Sequence, residues 1–235
     1  ALIAAGVTFR FLNLKAEEKS LIAQEALNQD IQHQLSIYAQ VSRFIPKAIH
    51  RRIQSDSKNG ATIEAALKKY LKVENRFVAI VYSDLRNYSL RSHDLEFVKE
   101  KLIRSHESVT RVIEQNEGVP QQAGDSILAY FAYETENLCI LRATFSALVC
   151  QQNLDLSKST ITTPEIERYF IVTSGNANVG NVFGDEHFEL SVNGKPANLA
   201  ARLDEVSKNQ FLRNRIISSG SVLIDFTTKK RLASI

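Results

Sequence analysis

The sequence has few of the residues that carry cross-links or classical metal sites. Cys139 and Cys150 are its only cysteines, and it has five histidines. The cysteines lie in one apolar, helix-like run, about three helical turns apart, so a helix holds them too far apart to pair. CxxC pairs and the HExxH spacing of zinc proteases are both absent. We therefore predict two buried free thiols in a reducing compartment and structural roles for the histidines.

Charge of one sign and long apolar runs are also scarce. The 29 basic and 26 acidic residues nearly cancel, leaving a net charge of +3 and a pI of about 8.8. That falls short of the basic surface of a dedicated nucleic-acid-binding protein, so no nucleic-acid partner is predicted. Hydrophobic residues make up 44% and charged residues 23% of the 235, which excludes disordered, collagen-like and multi-span membrane chains. The length suggests one or two domains.

A long helix is predicted at the start of the chain, because neither Gly nor Pro occurs from Leu12 to Ile45. Inside it a heptad-like seam steps by alternating four and three residues: Leu27, Ile31, Gln34, Tyr38, Val41 and Ile45. Since residues 14–36 are otherwise very polar, we favour a parallel dimerising coiled-coil helix over an amphipathic helix packed on its own domain. The apolar stretch Ala1–Phe9 is either the end of a truncated membrane span or the apolar start of this helix.

The rest of the chain alternates strand and helix signals in a βαββαβ order, which predicts an α+β fold with the helices on one face of the sheet. We read residues 55–60 as a loop and Thr62–Leu71 as a helix. The predicted strands are 77–82, 119–123, 126–133, 168–173 and 222–225, with a further candidate at 178–182. The predicted helices are 93–115, 137–152 and 198–208.

Two aspartates lie at positions where they could form a site, one after a predicted strand and one in a predicted turn between strands. Asp84 comes just after the apolar strand 77–82, and Asp125 lies in a Gly-Asp pair at the tip of the predicted hairpin. Each alone is typical of a strand end or a turn. If the hairpin lies beside strand 77–82, however, both carboxylates emerge at one end of the sheet. Two carboxylates without a nearby His or Cys suit Mg²⁺ or Mn²⁺.

A second pair, Asn198 and Arg202, is four residues apart and shares one face of the predicted helix. Asn can hold a hydroxyl or ring oxygen, and Arg can stabilise charge on a transferring phosphoryl group. A helix cap and a solvated arginine would have the same spacing. Before this pair, the segment 174–181 contains glycines that allow close approach to a ligand or another chain.

Four segments in order resemble the catalytic domain of class III nucleotidyl cyclases, the adenylate and guanylate cyclase family. They are Val81–Ser89, Ala123–Phe131, Ser174–Val182 and Gly194–Leu203, and the resemblance runs from about residue 75 to the end. It implies a ferredoxin-like, palm-type cyclase domain over residues 76–235. Before it come a helix and linker (51–75) and an N-terminal helix (1–50) of the kind that signals in this family. A late strand of the family is expected to lie beyond residue 235.

The resemblance also implies a role for each matched residue. Asp84, Asp125 and the main-chain carbonyl of Leu85 would hold two Mg²⁺ or Mn²⁺ ions. Asn198 would orient the ribose and Arg202 would stabilise the reacting phosphate. The substrate would be a nucleoside triphosphate that is cyclised with release of pyrophosphate. Because the metal ligands and the Asn/Arg pair come from different subunits in this family, the resemblance implies an obligatory homodimer.

The nucleobase contacts depart from the family pattern. The position that is Lys in adenylate cyclases and Glu in guanylate cyclases is Gln121 here, and its partner position is Ser191. Serine is close to the Thr of some adenylate cyclases, so ATP is favoured, although Gln can both donate and accept. A pyrimidine cyclase of bacterial antiviral signalling and a catalytically silent regulatory module remain as alternatives. Lys229 and Lys230 follow the last strand too closely to be the family's triphosphate-binding lysine, which stays unassigned.

Residues 38–48, which include Arg43-Phe-Ile-Pro46, resemble the junction before the catalytic domain in membrane-attached members. We expect a cytoplasmic location, and membrane attachment through a segment before residue 1 is the alternative that this resemblance leaves open.

Overall fold

A six-stranded sheet organises the chain in the computed structural model, which describes residues 2–42, 45–86, 88, 92–133, 135–158, 167–181, 189–209 and 222–235. The strands are β1 (Glu74–Leu85), β2 (Val119–Ala123), β3 (Ser126–Phe131), β4 (Arg168–Asn181), β5 (Leu190–Gly194) and β6 (Val222–Ile224). The helices are α1 (Leu2–Val41), α2 (Lys47–Lys58), α3 (Ile63–Leu71), α4 (Leu95–Phe97), a π-helical turn (Val98–Leu102), α5 (Ile103–Gln115), α6 (Glu136–Lys158), α7 (Lys195–Lys208) and α8 (Phe226–Leu232).

The strand order is β2-β3-β1-β4-β5, with every neighbour antiparallel, and β6 pairs parallel to the first part of β4. The central strand β1 is buried because its apolar residues serve both faces. Val78 and Ile80 point to one core, and Ala79 and Val81 point to the other. The predicted α+β class with its βαββαβ core is confirmed.

Helices cover both faces of the sheet, so the prediction that they share one face is wrong. The α5 and α6 helices pack against Ala79 and Val81, as expected for the two crossover helices. On the opposite face lie α2, α3 and α7, whose buried residues join Val78 and Ile80. The reason is that the middle of β1, Val78–Val81, is apolar and buried on both sides, so each face needs its own cover.

Of two local predictions, one is confirmed and one is wrong. The β2–β3 hairpin turns at Gly124-Asp125 as predicted, with Gly124 at φ 62°. A positive φ is cheap for glycine, which explains its place in the turn. Residues 55–58, however, are the last turn of α2 and not a loop. Ile49 and Ile53 bury one face of α2 against the sheet, and this packing extends the helix through its polar end.

The predicted N-terminal helix is present as α1, and its seam has two different environments. Leu27 and Ile31 are 59% and 44% exposed. Nearer the sheet, Ile45 is buried in the core and Tyr38 packs against it, with its ring centroid 5.0 Å from that of His50. No helix in the described part of the chain has the length and apolar character needed to cross a membrane.

Candidate active site at one end of the sheet

The two predicted aspartates lie together at one end of the sheet. Asp84 is the last residue but one of β1, and Asp125 occupies the β2–β3 turn. Because β1 pairs with β3 through Ser83 and Ile127, the end of β1 lies directly beside that turn. Asp84 is 4% exposed, and its Oδ1 accepts a hydrogen bond from the Leu85 amide at 2.9 Å. Leu85 itself follows as the last residue of the strand.

Burial and the closeness of the two carboxyl groups both change the pKa of Asp125. Partial burial raises the pKa of Asp125, and the negative charge of Asp84 and a hydrogen bond to it raise this pKa further. Two carboxylates with like charge repel each other in a partly buried site, which favours the binding of a cation between them. The geometry therefore brings together the two residues that the sequence singled out as a pair.

A lysine that the sequence analysis did not single out reaches this site from α7. The Nζ of Lys208 lies 2.9 Å from Asp84 Oδ2 and 2.8 Å from Asp204 Oδ2. Burial works to lower the pKa of Lys208, but hydrogen bonds to both carboxylates outweigh it and raise this pKa above its ordinary value. Tyr169 donates to Asp204, which is 5% exposed. A resident ammonium group thus occupies one oxygen of Asp84.

Arg168, the first residue of β4, lies behind the two aspartates and is 4% exposed. Its guanidinium donates to Ser83 Oγ, Ser105 Oγ and the main-chain oxygen of Asp125, each at 3.2 Å. Burial lowers the pKa of Arg168 to about 10, while Asp84 and Asp125 act against this shift. A buried positive charge therefore stands on the protein side of the carboxylates.

Asn198 and Arg202 are one turn apart on α7, and both side chains are exposed. Two apolar side chains on the same helix, Leu199 and Val206, are also exposed, at 37% and 42%. The end of α7 that carries Asp204 and Lys208 contacts the carboxylates of its own chain, whereas the Asn/Arg pair faces solvent. Asn198 and Arg202 are thus available to a second molecule.

Gln121 and Ser191 lie close together although they belong to strands at opposite edges of the sheet. Gln121 is in β2, and its side-chain amide donates to the main-chain oxygen of Leu190 in β5. Ser191 is the next residue and is half-buried. A contact between the two edges requires a strongly curled sheet. The curl brings the two predicted nucleobase residues to one place.

The glycines of segment 174–181 approach the chain itself within the described residues. A Cβ on Gly180 would lie 2.5 Å from the main-chain oxygen of Lys72, and one on Gly175 would lie 3.7 Å from Pro196. Gly180 therefore lets β4 pack against the segment before β1, whereas 3.7 Å at Gly175 is an ordinary van der Waals distance. The close approach predicted for them is intramolecular in this structure.

Comparison with known proteins identifies the fold. No family model matches the sequence, and no curated protein matches it. Among solved structures, the adenylyl cyclase CyaB from P. aeruginosa is similar with a TM-score of 0.58 and 18% identity, over 70% of this chain and 84% of that one. The chain has the fold of class III nucleotidyl cyclase catalytic domains. The expectation drawn from the four sequence segments is confirmed at the level of the fold.

Two further structures extend the cyclase likeness. A dimeric guanylyl cyclase domain of the RhoGC fusion protein from Blastocladiella emersonii has a TM-score of 0.56 and 19% identity, over 70% of this chain and 87% of that one. A bacterial light-regulated adenylyl cyclase has a TM-score of 0.63 and 14% identity, and covers 88% of this chain and 57% of its own. The longer match to the second protein reaches into the helices before the cyclase fold.

The residues present fit a divalent-metal site that needs further ligands from outside the two carboxylates. No group of three or more His, Cys, Asp or Glu side chains within the described ranges is arranged to hold a metal alone. Mg²⁺ is commonly bound by one or two carboxylates together with substrate phosphates. Asp84 and Asp125 supply those carboxylates. The raised pKa of Asp125, together with an ammonium group already on Asp84, indicates that the site attracts cations.

Arg168, Asp204 and Lys208 were not predicted as site residues from the sequence. A signal for Asp204 was present, because it falls on the buried stripe of α7 with Ala200 and Ser207. An acidic residue on a buried stripe needs a partner, and Lys208 follows at the i,i+4 position. No comparable sequence signal exists for Arg168, whose described hydrogen-bond partners come from three separate segments.

Proposed function

We propose that this protein is a nucleotidyl cyclase that converts a nucleoside triphosphate to a 3′,5′-cyclic nucleotide and pyrophosphate. The ribose 3′-oxygen forms a bond to the α-phosphorus, the bond to the β-phosphate oxygen breaks, and the hydroxyl proton passes to water. The observation that carries this proposal is the pairing of Asp84 with Asp125 at one end of a sheet with the cyclase fold.

Asp84, Asp125 and the main-chain carbonyl of Leu85 would hold two Mg²⁺ or Mn²⁺ ions, which would supply positive charge at the reacting phosphate. The remaining contribution of the protein is positioning. Rigid support suits this role, because Asp84 lies in the central strand and is nearly fully buried. Precise placement of the 3′-oxygen and the α-phosphate accounts for much of the rate in phosphoryl transfer.

The site is completed by a second copy of the chain. Asn198 would orient the ribose and Arg202 would stabilise the phosphate charge in the site of the partner. Their exposure on α7, beside the exposed Leu199 and Val206, supports this arrangement, since apolar residues around polar ones suit a subunit interface. The exposed seam residues of α1 support a parallel helix pair that joins the two copies.

ATP is the favoured substrate. Ser191 offers a hydroxyl that can donate or accept, like the Thr of some adenylate cyclases. The amide group of Gln121 is engaged by the Leu190 carbonyl in the nucleotide-free chain, so the side-chain oxygen is the group left for the nucleobase. That oxygen can accept from the exocyclic amine of adenine, cytosine or guanine, so it disfavours only uracil. A pyrimidine triphosphate, CTP, remains the second substrate to test.

Turnover of ATP, GTP, CTP and UTP with Mn²⁺ or Mg²⁺, with the product identified by mass, tests the activity. Product from ATP is expected from the wild type and from a control with the exposed Arg51→Ala change. Asp84→Ala and Arg202→Ala should each abolish it. Absence of a cyclic product from all four triphosphates would contradict the proposal and favour a silent regulatory module, which nucleotide-dependent thermal stabilisation would then support.

Mixing the two inactive variants tests the dimeric site. A mixed dimer of Asp84→Ala and Arg202→Ala holds one site in which both defects meet and one site that is intact. A one-to-one mixture should therefore regain about a quarter of wild-type activity if the subunits exchange freely. Recovery requires that Asp84 and Arg202 serve one site from different chains. If refolded mixtures stay inactive although mixed dimers form, the shared site is refuted.

A further inference from the structure

Arg168 carries an inference that rests on the proposed function and concerns the two metal-binding aspartates. Its guanidinium is almost fully buried at the start of β4. Burial of an arginine is costly unless its donors are satisfied. A buried arginine at this point needs a reason beyond packing, since an apolar side chain would fill the same space without that cost.

Within the described part of the chain, Arg168 has four hydrogen-bond contacts, of which two reach the segments that carry the aspartates and two reach α5, where its Nη2 lies 3.3 Å from His106 Nδ1. One goes to the hydroxyl of Ser83, the residue directly before Asp84, and one goes to the main-chain oxygen of Asp125 itself, both at 3.2 Å. The third goes to Ser105 in α5, also at 3.2 Å. The planar guanidinium therefore connects the end of β1 and the β2–β3 turn to one rigid group and anchors that group to α5.

Among the described residues, none of the hydrogen-bond acceptors of Arg168 is a carboxylate, so no direct contact neutralises its positive charge. Both Ser83 and Ser105 are hydroxyls, and Asp125 contributes its main-chain oxygen. The carboxylates of Asp84 and Asp125 nevertheless act on Arg168 through their charge. Arg168 therefore uses neither carboxylate as a hydrogen-bond acceptor, while its positive charge behind them reduces their mutual repulsion.

We propose that Arg168 is a positioning residue that fixes the separation of Asp84 and Asp125 for the binding of a divalent cation pair. It acts from behind the ligands and touches neither the nucleotide nor the ions. Lysine cannot replace it, because an ammonium group at the end of a flexible chain cannot reach three acceptors in one plane.

The test measures Mn²⁺ affinity on the full-length protein with a 3′-deoxynucleoside triphosphate, which binds but cannot cyclise. The variants are Arg168→Lys and Arg168→Met. Arg142→Lys and Arg142→Met are matched controls, because Arg142 lies over the Tyr133 ring at 4.9 Å on α6, away from the aspartates. Free Mn²⁺ is followed by electron paramagnetic resonance, and the thermal midpoint is recorded for each variant.

Both Arg168 variants should weaken Mn²⁺ binding by about tenfold or more, as loss of the groups that orient metal ligands does in other proteins. Nucleotide affinity at saturating Mn²⁺ should change much less. The Arg142 variants should retain wild-type Mn²⁺ affinity even where they lower the thermal midpoint. Unchanged Mn²⁺ affinity in Arg168→Lys, with a lowered thermal midpoint, would show a merely structural role and overturn the proposal.

Ser83→Ala tests the same idea if the Arg168 variants fail to fold. It removes only the hydroxyl next to Asp84, and it should weaken Mn²⁺ binding by a factor of about three, the loss of part of one hydrogen bond to a charged group. An unchanged affinity in this variant would refute the positioning role. The failure of the proposed function is distinguishable, since it would appear as no cyclic product from the wild-type protein, whereas failure of the positioning role would appear as unchanged Mn²⁺ affinity in the variants.

Discussion

Replacement of Lys208 by glutamine should raise the affinity of the nucleotide-free protein for Mn²⁺. In the structure the Lys208 ammonium lies 2.9 Å from Asp84 Oδ2, on an oxygen that a metal ion would use. Metal binding must break this contact, although the ammonium can keep its second partner, Asp204, at 2.8 Å. Removal of the ammonium group removes the competitor and leaves the two carboxylates without their counter-ion.

The size of the effect follows from the one contact that is lost. A hydrogen bond to a charged group contributes about 1.5–3 kcal/mol to a folded protein. The Lys208 side chain is 57% exposed, so solvent screening reduces this to about 1–2 kcal/mol. Since about 1.4 kcal/mol corresponds to a tenfold change in affinity, the dissociation constant for Mn²⁺ should fall by a factor of about 5–30.

The assay is a Mn²⁺ titration of nucleotide-free protein, followed by electron paramagnetic resonance or calorimetry. Lys69→Gln is the matched control. Lys69 of α3 forms an ion pair with Asp56 of α2 at 2.7 Å, and its replacement changes the net charge by the same amount. Only the Lys208 variant should bind Mn²⁺ more tightly. If Lys208→Gln bound Mn²⁺ no more tightly than the wild type, the proposed competition would be refuted. If the affinity rose equally in both variants, the effect would be explained by net charge alone.

Three further predictions concern other parts of the molecule. Burial lowers the pKa of His106, so protonation of this side chain destabilises the folded state. The free energy of unfolding should therefore fall as the pH drops below about 6.5, the ordinary histidine pKa. His106→Gln should flatten this pH dependence, measured by denaturation at several pH values. Gln121→Lys combined with Ser191→Asp should shift turnover towards ATP, and an unchanged panel would reject their role with the nucleobase. Cys139 and Cys150, both buried, should resist thiol reagents until the chain unfolds, and rapid labelling of native protein would contradict their burial.

Local patterns sufficed to predict the parts of the fold that depend on neighbouring residues. The Gly124-Asp125 turn was predictable because glycine accepts a positive φ and an apolar run follows the pair. The position of Asp84 was predictable because a continuous apolar run precedes it. Both predictions need only a few adjacent residues, and together they located the carboxylate pair.

Features that depend on distant packing could not be predicted in the same way. The last turn of α2 reads as a loop from its Ser, Asp and Asn content, but Ile49 and Ile53 hold the helix against the sheet. Likewise, the covering of both sheet faces depends on where α7 returns after β5. From the sequence, a polar segment is predicted to be a loop because of its composition. In the fold, the burial of neighbouring apolar residues decides whether that segment is helical.

The balance of charge at the end of the sheet explains why the site holds together before a metal binds. Asp84, Asp125 and Asp204 place three carboxylates within one small region, where repulsion alone would open the structure. Arg168 from β4 and Lys208 from α7 bring two positive charges to opposite sides of that region. The two cations differ in exposure, since Arg168 is buried and hydrogen-bonded to β1, α5 and the β2–β3 turn while the Lys208 side chain is more than half exposed. The buried charge is therefore a fixed part of the site, and the exposed charge is the one that a divalent ion can replace.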